Sequence, residues 1–285
     1  MGVGALADKT LRVLFSVSLW EGRAMDRTAT DEVVEHAGAA LGSARVWKDL
    51  FPRRSRLSKV LKIARAARVT HYEMTLPWER GAQLLPTALY LDYMGKMTAY
   101  QGELDAAFQE FADHYDEEVQ QAADALNGLY RAEDYPPITE LIGKFGITVR
   151  CQPVPRSGDI RVDISQAAID GIKAQLEADT AEATTAAMRE TWLRIQTVTS
   201  RMSETLKGDK TNYHATLVSN VADLCALLPA FNLTDDPTLQ AITRDLDELT
   251  KNDTTILKEN KTIRDTTGDH AADIAARVAA ALKLL

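Results

Sequence analysis

The chain has 285 residues, 45% of them hydrophobic and 26% charged, with a formal net charge of −8. That length can bury a substantial core in one large or two smaller domains, and the composition excludes collagen-like and disordered classes. No apolar run reaches the roughly 18 to 20 residues that cross a bilayer, and the first residues lack a basic segment followed by an apolar block, so no membrane helix or signal peptide is expected and the cytoplasm is the expected location.

In chain order, the first element predicted is a strand in "LRVLFSVSLW", where Val13, Phe15, Val17 and Leu19 alternate onto one face. A helix is predicted over residues 56–68, with Leu57, Val60, Leu61, Ala64 and Ala67 on one stripe and Lys59, Lys62 and Arg65 opposite. A further helix is predicted after "LPW" near residue 78, and a longer one over about 98–131. "PPITELIGKFG" reads as a short helix with prolines at its start and Gly146 after its end. Next comes a hairpin near 147–164, with Ile147, Val149 and Cys151 on one arm, Ile160, Val162 and Ile164 on the other, and "QPVPRSG" between. Because a lone hairpin is marginal in water, the N-terminal strand is expected to pair with it.

Beyond the hairpin, long helices are predicted over 165–207 and 210–228, then over 237–265 and 269–285, with Asp236 as an N-cap before Pro237. Ile242, Leu249, Ile256 and Ile263 recur every seven residues, but the second line fails at Asp253, Asn260 and Thr267, so no sustained coiled coil is expected. The predicted fold class is therefore mainly α with a small antiparallel β element, not an OB-fold, since too few strands are visible for a five-stranded barrel. The predicted organisation is an α+β region over 1–165 and a helical region over 166–285 ending in an apolar oligomerisation arm, "AADIAARVAAALKLL", the two forming one or two domains.

Catalytic signatures are absent. There is no G-x-G-x-x-G, no G-x-x-x-x-G-K-[ST], no H-E-x-x-H and no G-x-S-x-G. Cys151 and Cys225 belong to no CxxC pair and are expected to be reduced. Glu110, His114 and Glu117 lack the spacing and the second copy of a di-iron site, so no metal and no cofactor is expected. Residues 103–134 hold ten acids and one Arg, an acidic helix able to face a basic segment or a partner.

That basic segment is "RVWKDLFPRRSRLSKVLKIARAAR", residues 45–68. It carries nine Lys or Arg against the single acid Asp49, a local balance of +8. These nine are Arg45, Lys48, Arg53, Arg54, Arg56, Lys59, Lys62, Arg65 and Arg68. Pairing within the helix cannot neutralise them, and the Arg excess suits bidentate phosphate contact. Trp47, Phe51, His71, Tyr72 and Trp78 lie alongside, and cations with aromatics on which bases stack meet the physical needs of single-strand binding. Trp47 and Tyr72 are the candidate stacking residues. Arg150, Arg156 and Arg161, on the polar side of the hairpin and in its loop, are candidates for a second wall.

Two segments, "LFSVSLWEGRAMDR" and "KIARAARVTHYEMTLPWERGAQLLPTALYLDY", together resemble a family of helical phage proteins, most closely the single-stranded-DNA-binding RNA polymerase cofactors of Schitoviridae podoviruses. The likeness covers roughly residues 10–165. It implies a DNA-coating protein that aids a viral RNA polymerase in the host cytoplasm, with single-stranded DNA and the polymerase as partners; the missing catalytic signatures make a non-enzymatic role the expectation, and the apolar C-terminal arm adds further copies of the chain as partners. The chain departs from the usual single-strand-binding plan in ending on "ALKLL" rather than an acidic tail. The competing expectation is a scaffold or adaptor partnering an ATPase, whose basic segment meets an acidic protein surface.

Overall fold

Alternation over the first predicted strand is realised as β1 (Thr10–Ser18), which follows a short helix α1 (Val3–Lys9). A computed structural model describes residues 3–79, 81–156, 158, 164–208 and 214–284. Among them the protein is mainly helical, with an open four-stranded sheet and a separate two-stranded ribbon, and no barrel closes. The chain divides into two units: residues 1–14, 72–91 and 150–285 form the first, and residues 15–71 and 92–149 the second.

The sheet runs in the order β4-β5-β1-β6, built from β4 (Leu76–Glu79), β5 (Ala82–Pro86), β1 and β6 (Gly146–Pro153). The N-terminal strand thus neighbours the first arm of the predicted hairpin, as expected; of the other arm, residues 159–163 lie outside the described residues. The helix predicted near residue 78 is instead the β4–β5 hairpin, turned at Gly81 with φ +85°, a conformation that favours glycine. Pro77 lies inside β4 and Pro86 ends β5; both strands are short, their Leu76, Leu84 and Leu85 are fully buried, and such buried strands carry no clear periodicity.

In the first unit, α7 (Gln166–Lys207) forms the spine and matches its predicted span closely. Ala187, Trp192, Ile195 and Met202 lie on its buried stripe. Against it pack α8 (Thr216–Phe231), α9 (Pro237–Leu249) and α11 (Lys261–Leu282), with α10 (Thr254–Glu259) between the last two. Asp236 caps α9 as predicted, accepting from the Thr238 amide at 2.7 Å. The single helix predicted over 237–265 is broken because Asp253 caps α10 and Asn260 caps α11, each offering the backbone a competing bond. Gly268 permits the close approach of α11 to α7, since a Cβ there would stand 3.2 Å from that of Leu206. The apolar C-terminal segment, expected as an oligomerisation arm, is spent inside its own chain: Ala271, Ile274 and Val278 are fully buried in this core. Burying Ile274 and Val278 contributes roughly 1.5 to 3 kcal/mol each, which holds the helix on its own unit.

The second unit carries the ribbon of β2 (Arg23–Asp26) and β3 (Val46–Asp49), joined through α2 (Arg27–His36), neither strand having been predicted. Its other elements are α3 (Arg56–Met74), α4 (Tyr90–Asp113), α5 (Tyr115–Leu126) and the one-turn α6 (Ile138–Leu141), of which α3 and α4 run on across the unit boundary in sequence. The long helix predicted over 98–131 is two helices, parted where His114 leaves helical dihedrals at φ −118°, ψ 18°. Phe51 centres the core, edge-on to Phe111 and Tyr135 at 5.5 Å and to Trp20 at 5.9 Å.

Candidate nucleic-acid interface

Helix α3 forms because its apolar residues recur at helical spacing and its N-terminus is doubly satisfied. Ser55 Oγ accepts from the Ser58 amide at 3.3 Å, and the buried Glu118 carboxylate accepts from the Arg56 amide at 3.2 Å. Leu57, Val60, Ala64 and Ala67 point into the core, while Leu61, predicted to share the stripe, is half-buried. Lys62, Arg65, Arg68 and Val69 stand on the exposed side.

The nine cations of residues 45–68 separate into two groups. Lys48 is buried in the ribbon's inner face, where its ammonium donates to the Leu129 carbonyl at 2.7 Å and lies 2.7 Å from Asp134 and 3.9 Å from Asp26. It is therefore withdrawn from any phosphate, contrary to the expectation that all nine cations of the segment contact phosphates. Arg56 donates to buried Glu118 at 3.0 Å, and Lys59 to Glu110 at 2.7 Å. The Lys59 ammonium holds the Glu110 carboxyl below the usual carboxylate range. These three cations serve the packing of α3, α4, α5 and the ribbon; the acidic 103–134 region faces the basic segment in this limited sense.

Arg45, Arg53, Arg54, Lys62, Arg65 and Arg68 remain exposed and have no ion-pair partner among the described residues. Arg53 and Arg54 lie in the turn that leads into α3, and Arg45 at the foot of β3. Trp47 is 58% exposed and sits in register with Met25, which is 38% exposed. Strand alternation explains both: Lys48 and Asp26 turn inward, so their neighbours turn outward.

The other candidates fall elsewhere. Tyr72 is 53% exposed and belongs to the first unit, where its carbonyl accepts from Arg194 at 2.9 Å. Arg150 and Arg156 are exposed in the same unit, Arg156 bonded to Asp8, and Arg161 lies outside the described residues. Phe51 and Trp78 are core or partly buried residues. Among the described residues no group of three or more His, Cys, Asp or Glu is arranged to hold a metal.

His71, only 2% exposed, shares a 2.8 Å hydrogen bond through Nδ1 with the Tyr93 hydroxyl and stacks on Phe15 at 4.4 Å. Burial pushes its pKa from 6.5 down to about 4. Between those values the unfolded chain binds a proton that the native imidazole refuses, so the stability is complete above pH 6.5 and is lost as pH falls towards 4. Urea denaturation is expected to show about 2 kcal/mol lost to this group between pH 7 and 5, and His71→Phe to remove most of that slope. An unaltered slope in the variant would assign the acid sensitivity to carboxylates.

Compared with family models, with curated proteins and with solved structures, the chain matches none.

Proposed function

We propose that the protein is a non-enzymatic, sequence-independent single-stranded-DNA-binding protein that serves as a transcription cofactor for a phage RNA polymerase in the host cytoplasm. The observation that carries the reading is the set of six exposed Lys and Arg on the second unit with no ion-pair partner among the described residues, within a chain of net charge −8. Phosphates are their natural counter-ions, because local charge decides backbone contact while the acidic remainder keeps the protein soluble. The exposed Trp47 supplies a ring on which a base can stack, beside Arg45 in sequence. The polymerase rests on the resemblance of the two quoted segments. No described helix is long and apolar enough to cross a membrane.

The test is fluorescence anisotropy with a labelled single strand of roughly 40 nucleotides and its duplex, from about 50 to 300 mM salt. Six phosphate contacts correspond to a slope of log K on log salt of about −4 for single strands. A slope near zero, or preference for the duplex, would overturn the reading. The adaptor reading takes support from Arg56 and Lys59, which already face carboxylates. It expects no DNA binding at the low-salt end and co-purification with an acidic protein.

A further inference from the structure

Helices α3 and α4 run antiparallel in the second unit, tied by the Lys59–Glu110 pair at one end and by the Thr70 and Tyr100 hydroxyls, 3.0 Å apart, at the other. Between the ties lies an open groove of about 570 Å³. One wall carries Lys59 and Lys62, the other Glu103 and Glu110, and Ile63, Ala66 and Ala106 line it between them. Lys62 and Glu103 are exposed and have no ion-pair partner among the described residues. The alanines leave room for another helix to come close.

We propose that two copies of the chain pair through this groove, about a two-fold axis that runs along it. Rotation about such an axis sets α3 of each copy over α4 of the other, so that the Lys wall of each meets the Glu wall of the other and Ile63, Ala66 and Ala106 meet in the middle. A surface with opposite charges on its two walls is self-complementary under that operation, which is the requirement for an isologous dimer. An axis across the groove would set Lys on Lys and Glu on Glu, so charge selects one arrangement. Within the groove a ligand of one sign, whether a nucleic-acid strand or an acidic peptide, meets a repelling wall, and Lys62, the one groove residue among the six phosphate-facing cations, exchanges that role for the partner copy's Glu wall when two copies pair. Self-association thus falls on the second unit, whereas the apolar face of the C-terminal helix is already covered within the chain.

The test is the mass of the full-length protein without DNA, by sedimentation equilibrium in roughly 50 mM and 500 mM salt. Wild type is expected to dimerise at low salt and to weaken at high salt. Two variants make the groove one-signed: K59E/K62E and E103K/E110K. Each alone is expected to raise the dimer dissociation constant roughly tenfold or more, and their equimolar mixture to restore the dimer. Ala106→Arg, at an exposed position, is expected to block pairing by bulk. A wild type monomeric at low salt, a dimer indifferent to both one-signed variants, or folded variants whose mixture stays monomeric would each overturn the proposal. No DNA is present, so these outcomes are independent of the single-strand reading.

Discussion

Replacing Lys62, Arg65 and Arg68 together by Gln is expected to lower the proposed affinity for single-stranded DNA about a hundredfold at roughly 0.1 M salt. The magnitude follows from counter-ion release. Each phosphate contact contributes about 0.7 to the slope of log K on log salt, so three lost contacts remove about two decades relative to 1 M and reduce the slope from about −4 to about −2. Because phosphate contacts carry no base information, the loss is expected to be uniform across sequences. The three side chains are exposed on α3, so the melting temperature should stay near wild type, which separates lost binding from lost folding. Lys59→Gln is the informative control. Its ammonium is engaged by Glu110, and its removal is expected to weaken binding far less than that of Arg65. Affinity unchanged in the triple variant would sink the phosphate track; loss confined to one base composition would replace it with base readout.

Lys48→Ala destabilises the second unit by about 3 to 5 kcal/mol. The side chain is 6% exposed, with Asp26 at 5% and Asp134 at 17%, so truncation strands two carboxylates out of water with no cation between them. It also leaves the Leu129 carbonyl without its donor. Asp26 accepts from the Ala29 amide at 3.0 Å and so caps α2; disorder of the ion cluster is therefore expected to spread to that helix and to the ribbon that presents Trp47. Urea denaturation followed by tryptophan fluorescence gives the value, and Arg45→Ala, three residues earlier and exposed, should cost within about 0.5 kcal/mol. A Lys48→Ala loss under about 1 kcal/mol would mean that water reaches the two carboxylates and the cluster is not a structural one.

These two substitutions share a lesson about how far the chain can be read as a string. Lys48 and Arg45 look alike in the sequence, both Lys or Arg beside Trp47 in one basic run. They differ because residues 46–49 form a strand whose alternate positions face opposite ways, and four residues without a buried partner visible nearby give no period-two signal to detect. The same weakness hid the β4–β5 hairpin behind a predicted helix. Long elements with caps were legible: the span of α7, the stripe of α3 and the Asp236 cap all follow from spacing and capping chemistry that act within a few residues.

By itself, then, the sequence determined the class, mainly α with a small antiparallel element, and the concentration of nine cations between residues 45 and 68. Only the tertiary structure decided which of those cations are spent. Glu110 reaches Lys59 across 51 residues of chain, Glu118 reaches Arg56 across 62, and the Leu129 carbonyl reaches Lys48 across 81. Periodicity and charge density are local properties of a chain. The partner that neutralises a given charge is a contact made by folding, and no short-range pattern encodes it.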